Sequence, residues 1–516
     1  MDAQLARHPA TTDWMTSQIS IVGLGPAGLD RLRRPDLDRL IDPGTTLILR
    51  TVEHPAAAAL ASMRSVVSCD DLYETADDFD GVYEAIVDRV TAAARIGPVS
   101  YAVPGSAIVG ERAVSLLVAA AAREGIPCTV VPGESFIDLA CVAVGIDPIA
   151  DGLQILDARA LPDPLPLHLP SLITQIDSPL VAGEVAVTLG RILPESFTVT
   201  MLDRVGDDDA TVTEMTIADL PRADTGPRLT LFVPAADVGW IGLIATNRVL
   251  RKECPWDAKQ THHTLVSHLI EETYETVDAI SALPVAAPAG DVDLGDYLLL
   301  EEELGDLLLQ IVFHAGLAAE AGAFDVDEVA EGIRRKIVSR HPHVFGDVIA
   351  NEVDEVLANW EELKNAEKGR ESLMDDVPTA LPGIARADKI QRRVASVGFD
   401  WPDDEPVFSK VEEELEELRE VKDDRDLATA ELGDLLFAIV NLARHLDVDP
   451  EIALSRANDT FAARFRIVER LAGDAGHRLR DLDLTELDRL WEMSKIELST
   501  TETESSFTLK PERNEP

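Results

Sequence analysis

Two acidic patterns, Glu-Glu-x-x-Glu and then Glu-x-x-Asp, occur twice in the same order. The first copy comprises Glu271, Glu272 and Glu275 with Glu303 and Asp306; the second comprises Glu413, Glu414 and Glu417 with Glu431 and Asp434. Residues three and four apart share one face of a helix, so each segment gathers its carboxylates on one side. Two such faces packed together crowd like charges around a common point, which is tolerable only if cations neutralise them. Hard oxygen ligands in that number favour Mg²⁺, or Mn²⁺, over zinc or copper. One such segment in an acidic chain is usually a solvated helix face. Here Leu304, Leu307, Leu308 and Ile311 follow the first Glu-x-x-Asp and read as a core stripe beside the carboxylates. Carboxylates that border an apolar seam twice favour a metal site.

Cations flank both copies. Lys389, Arg392 and Arg393 precede the second acidic segment, in a position to meet a triphosphate, and Asn458 and Arg464 follow it. Trp401 could stack on a base, although core packing is the commoner role for such a ring. In the first copy, Arg334-Arg335-Lys336 and Arg340 either cap a solvated helix end or supply cations to phosphate oxygens.

Composition narrows the class. A chain of 516 residues holds about two to four domains. A formal charge of −48 opposes non-specific binding to nucleic-acid backbones and to anionic membranes. The four cysteines form no C-x-x-C pair and read as reduced thiols. No apolar run is long enough to span a bilayer, and residues 1–17 lack the basic start and apolar centre of a signal peptide. The expectation is a soluble cytoplasmic protein.

In chain order, residues 1–17 read as an unstructured leader. Residues 18–235 alternate strands and helices, with strands expected at Thr46–Leu49, Val99–Val103, Cys128–Val131, Phe197–Leu202 and Leu229–Val233, hence an α/β domain with a largely parallel sheet. Gly23-Leu24-Gly25-Pro26-Ala27-Gly28 after the first strand is literally G-x-G-x-x-G. Pro26, however, removes an N–H from the loop that should cradle a pyrophosphate. Beyond residue 241 strand patterns vanish. The expectation is a helical unit at 241–365, a polar linker at 366–380, a second helical unit at 381–497 and a disordered tail at 498–516.

Two resemblances emerge from these residues. The loops Gly23-Leu-Gly-Pro26, Tyr101-Ala-Val-Pro-Gly-Ser106 and Gly133-Glu-Ser-Phe136, with Gly145-Ile-Asp-Pro148, resemble the tetrapyrrole (corrin/porphyrin) methylases over roughly residues 18–235. That resemblance implies S-adenosylmethionine held near Gly23, Gly25, Pro104, Gly105, Ser106, Gly133 and Ser135. Ala27, Gly28 and Ser106 depart from the family pattern, which leaves methylation of a tetrapyrrole open. Methyl transfer needs mainly positioning, so no catalytic triad is expected.

Residues 243–497 resemble tandem MazG nucleoside triphosphate pyrophosphohydrolases. The carrying motifs are Cys254-Pro-Trp-Asp257, Gln260-Thr-His262, both acidic pairs, Arg340-His-Pro-His-Val-Phe345 and Val397-Gly-Phe-Asp-Trp401. The resemblance implies an all-α homodimer that cleaves a nucleoside triphosphate to monophosphate and pyrophosphate. It also implies that the second unit is catalytic, through Glu413, Glu414, Lys389, Arg392 and Arg393. Thr460 stands where such proteins usually carry Lys, whereas the first unit keeps Lys336. The rival readings are a methyltransferase with regulatory helical units, and a nucleotide-sensing scaffold without turnover.

Overall fold

The computed structural model describes residues 18–76, 78–284, 286–290, 292–346, 372–375 and 377–507, with the backbone alone at 499–507. The expected leader, residues 347–365 of the expected first helical unit, residues 366–371 and 376 of the expected linker and the last residues of the expected tail lie outside these.

Five strands form a parallel sheet in the order β3-β2-β4-β1-β5: β1 (Ile19–Gly23), β2 (Thr46–Leu49), β3 (Val67–Ser68), β4 (Val99–Val103) and β5 (Cys128–Val131). Helices α1 (Arg34–Ile41), α2 (Pro55–Met63), α3 (Asp70–Thr75), α4 (Phe79–Ala94) and α5 (Arg112–Glu124) supply the crossovers. A parallel sheet covered on both faces demands strands that are apolar on both sides. Ile19, Ile21, Ile48 and Tyr101 accordingly face one buried cluster, with α4 and α5. Their neighbours Val22, Leu47, Leu49 and Ala102 face the opposite one, with α1 and α2.

Helix α6 (Phe136–Val144) leads to a second sheet of β6 (Gln154–Asp157), β7 (Ser171–Thr174), β8 (Thr198–Asp203), β9 (Thr211–Thr216) and β10 (Leu229–Val233), in the order β6-β7-β10-β8-β9. Only β6 and β7 pair in parallel; the other pairings are antiparallel. The expectation of a largely parallel sheet therefore holds for the first sheet and not for the second. A parallel pair needs a long crossover, whereas β8 and β9 are joined by a short turn through Arg204 and Gly206, both at positive φ. α7 (Pro179–Gly190) packs on this second core.

All later elements are helical: α8 (Gly239–Glu253), α9 (Val266–Ala282), α10 (Leu294–Glu320), α11 (Val326–Arg340), α12 (Pro342–Phe345), α13 (Gly383–Ala395), α14 (Glu405–Val421), α15 (Arg425–His445), α16 (Pro450–Asp474) and α17 (Leu484–Phe507). The last helix continues past residue 497. α9 with α10, and α14 with α15, form helical hairpins. The tight second turn is set by Asp424, whose Oδ1 accepts from the N–H groups of Asp426 and Leu427 at 3.1 and 3.2 Å. The chain divides into two compact units, Met1–Gly332 and Ile333–Pro516, and the division falls inside α11 rather than in the expected linker.

The expected core stripe on α10 is only partly buried. Leu304 and Ile311 are exposed, and Leu307 and Leu308 half-buried. α9 and α8 cover only part of α10, and that leaves some of its broad apolar face exposed.

Candidate metal centres and cofactor loops

Each helical hairpin brings carboxylates from both of its arms together. Glu272 and Glu275 on α9 meet Glu303 on α10, and Glu414 and Glu417 on α14 meet Glu431 on α15; within each set, one oxygen per residue lies within 4.8 Å of the others. Glu414 is buried, Glu272, Glu303 and Glu431 are half-buried, and Glu275 and Glu417 are exposed. Thr276 locks the first hairpin by donating to the carbonyls of Glu272 (2.7 Å) and Glu303 (3.3 Å).

Burial first, and then neighbouring carboxylates, disfavour the charged form of these groups. Burial, and then the charges of Asp306 and Glu275, raise the Glu272 carboxyl above its usual range. Burial followed by Glu275 and Asp306 does the same for Glu303. Burial followed by Glu414 and Glu431 raises Glu417. An all-oxygen donor set under mutual repulsion fits a hard divalent cation. Glu271, Glu413, Asp306 and Asp434 stay outside the tight triplets and are exposed, although Asp306 is near enough to shift both Glu272 and Glu303.

Sequence reasoning missed Lys410. Its Nζ stands 2.7 Å from Glu414 Oε1 and 3.1 Å from Glu413 Oε1, one turn earlier on the same face. The counterpart in the first copy is His268, with Nδ1 3.6 Å from Glu271 Oε2. A cation three and four positions ahead of a Glu pair was the signal that would have found both.

Two of the cations expected beside the second cage are engaged locally. Arg392 pairs with Asp388 (2.8 Å), and Arg393 donates to Leu373 O (2.8 Å), which fastens the segment ahead of α13. Lys389 is half-buried on the same helix. Lys336 is exposed and Arg340 buried. Trp401 is 42% exposed, so the core reading of this ring is corrected: it follows Asp400, whose carboxylate is drawn away into an ion pair with Arg444 and a hydrogen bond with His445.

Arg464 lines a cavity of about 350 Å³ with Arg456, Thr460, Phe461 and Trp491. Its guanidinium lies 6.0 Å from the Trp491 ring centre, its Nε is buried without a partner among the described residues, and Phe461 is 4.9 Å from that ring. Asn458 is exposed and does not line this cavity. Trp491 was not foreseen; it comes from the last helix, distant in sequence.

In the α/β region, the loops after β1, β4 and β5 are knitted by backbone bonds. Gly25 and Gly105 exchange N–H···O bonds of 3.0 and 2.9 Å, and Ala107 N donates to Pro132 O at 2.6 Å. A Cβ on Gly23 would lie 2.1 Å from Pro132 O, and one on Gly133 2.6 Å from Gly23 O, so this crossing admits only glycine. The structure thus brings Gly23, Gly25, Pro104, Gly105, Ser106 and Gly133 to one edge of the first sheet, at the carboxyl ends of its strands. Ser135 caps α6, accepting from Ile137 N at 3.2 Å. His54, also unforeseen, is buried with neither ring nitrogen partnered among the described residues; burial and then Arg228 pull its pKa down to about 4.

A doubly covered parallel sheet with glycine loops, joined to helical hairpins with paired carboxylate cages, defines a two-part protein: a methylase-like α/β part followed by nucleotide-hydrolase-like helices. Family models agree, with tetrapyrrole (corrin/porphyrin) methylases matching residues 18–221 and the MazG nucleotide pyrophosphohydrolase domain matching residues 260–345. The chain belongs to the family of YabN from Bacillus subtilis (strain 168), to which it is 37% identical over 93% of its own length and 99% of that protein's. It is also similar to the nucleoside triphosphate pyrophosphohydrolase of Escherichia coli (strain K12), 44% identical over 47% of this chain and 90% of that one. The Thermotoga maritima enzyme MazG, a nucleoside triphosphate pyrophosphohydrolase/pyrophosphatase, is 44% identical over 47% of this chain and 89% of its own.

Proposed function

We propose that the protein hydrolyses nucleoside triphosphates to monophosphate and pyrophosphate with a divalent cation, Mg²⁺ or Mn²⁺, and that the second helical unit is the catalytic one. The observation that carries this reading is the cage of Glu414, Glu417 and Glu431 with Lys410 against it. Glu414, Glu417 and Glu431, with Glu413 and Asp434 beside them, would hold the cation. The chemistry a cation supplies when bound there is polarisation of an α-phosphate and activation of a water. Lys410 holds Glu413 and Glu414 in register and offsets their charge. The Arg456, Arg464 and Trp491 cavity offers cations and aromatic faces of the kind that receive a triphosphate and a base.

Exposed Leu432, Leu436 and Ile439 on α15, and Leu304 and Ile311 on α10, support homodimerisation through the helical units. The gathering of the Gly23, Gly25, Gly105 and Gly133 loops at the carboxyl ends of β1, β4 and β5 supports S-adenosylmethionine binding by the α/β part. Among the described residues no helix is long and apolar enough to cross a membrane; cytoplasmic residence belongs to this reading on the strength of the four free cysteines, and the absence of nucleic-acid binding on that of the −48 charge. The test is pyrophosphate release from a panel of nucleoside triphosphates with and without Mg²⁺. Absence of release with every nucleotide would leave the nucleotide-sensing alternative in its place.

A further inference from the structure

The first helical unit holds a second cavity, outside its carboxylate cage, of about 320 Å³ between α8 and α10. Its floor is apolar, made by Ile244, Val312, Ala315 and Val326. Its polar lining is weighted toward positive charge: Arg248, Arg251 and Lys252 against Glu320 and Asp325. In a chain of net charge −48 such a grouping is conspicuous. Glu320 is already neutralised, because Arg251 grips both its oxygens at 2.8 Å. Arg248 and Lys252, one helical turn apart and exposed, have no ion pair among the described residues.

Asn247 points to a ligand independently. It is 2% exposed, it lines the cavity, and its Nδ2 has no hydrogen-bond partner among the described residues. A buried amide N–H left unpaired costs about 1–3 kcal/mol, so the site is incomplete as it stands. The cavity is open because of Gly316, where an added Cβ would lie 3.3 Å from Asn247 Oδ1. At the same place in the second unit, counted from Asp306 and Asp434, the residue is Arg444. Its guanidinium is committed to Asp400 at 2.5 Å and to Asn441 at 2.7 Å. The equivalent position thus carries an internally paired cation in one copy and a glycine in the other, where Arg248 and Lys252 stand at the cavity rim.

We infer that the cavity bounded by Asn247, Arg248, Lys252 and Gly316 binds a small phosphomonoester, its phosphate on Arg248 and Lys252 and its organic body on the apolar floor, with a mononucleotide as the fitting class. The volume lies at the lower end of the range for small-molecule sites, and exposed basic side chains above a buried donor suit a phosphate oxygen. This assignment is independent of the pyrophosphohydrolase reading, since none of these residues belongs to a carboxylate cage.

The test is calorimetric titration of the full-length protein with AMP and with ribose 5-phosphate, in EDTA so that no cage is loaded. Saturable binding is expected. It should weaken about tenfold or more in Arg248→Glu/Lys252→Glu, as loss of charge-assisted contacts requires, and likewise in Gly316→Arg, which puts a long side chain into the cavity lining. The double variant changes only exposed side chains, so an unchanged melting temperature and retained pyrophosphate release separate loss of this site from loss of fold or of the cage in the second unit. Failure of the wild-type protein to bind either phosphomonoester, or equal binding by wild type and double variant, would overturn the assignment.

Discussion

Lys410 Nζ lies 2.7 Å from Glu414 Oε1, so the second carboxylate cage is built around a permanent cation. In the first cage the corresponding group is His268, 3.6 Å from Glu271 and charged only when protonated. The two copies share a carboxylate pattern and differ in the cation that organises it. Lys410→Met is expected to lower pyrophosphate release by about 10- to 100-fold, the range for losing a side chain that orients metal-ligating carboxylates. Arg419→Met, which breaks the exposed pair with Glu416, should leave the rate unchanged. Steady-state rates of the two variants at saturating Mg²⁺ check the contrast.

The acid limb of stability depends on Asp400. Hydrogen bonds from Arg444, opposed by burial and assisted by His445, pull its pKa from 3.8 to about 2. A depressed folded-state pKa means the ionised carboxylate stabilises the fold above pH 3.8, and this contribution is lost as pH falls toward 2. Asp400→Asn should therefore cost about 1–2 kcal/mol at neutral pH and clearly less near pH 2, where half of the folded-state carboxylates are protonated. Denaturant unfolding at both pH values measures it; an equal cost at both would contradict the assignment.

Gly23→Ala forces a Cβ to 2.1 Å from Pro132 O and 2.7 Å from Gly105 O, both backbone atoms that cannot swing aside. The expected result is a destabilisation of about 2–4 kcal/mol and loss of S-adenosylmethionine binding by calorimetry. Gly97→Ala, with nothing within 4 Å of the new Cβ, is the control that should change neither.

Leu432 and Ile439 are exposed on α15, the helix that carries Glu431. Leu432→Asp/Ile439→Asp should convert a dimer to a monomer by light scattering and lower pyrophosphate release with it. A monomeric wild type would remove the basis for a shared interface.

Much of this was legible in the residues because the signals were local. Glu-Glu-x-x-Glu and Glu-x-x-Asp define a helix face wherever they occur, and the glycine loops after β1, β4 and β5 announce themselves by position after apolar runs. What escaped was set by tertiary pairing. β6 and β7 flank the proline-rich stretch from Leu161 to Pro170, which hides any period-two pattern. The antiparallel second sheet follows from partner choice rather than propensity. Lys410 sits inside an acidic run, where a lone cation carries little signal, whereas the clustered Arg392 and Arg393 stand out in the sequence but have local partners. Leu304 and Ile311 read as core from periodicity alone, which does not specify whether the covering surface belongs to the same chain.

The most direct measurement is pyrophosphate release from a nucleoside triphosphate with Mg²⁺ by wild type, Glu414→Ala and Glu272→Ala. Turnover abolished by Glu414→Ala and largely kept by Glu272→Ala is the expected result. Turnover that survives Glu414→Ala unchanged would contradict the placement of catalysis in the second cage.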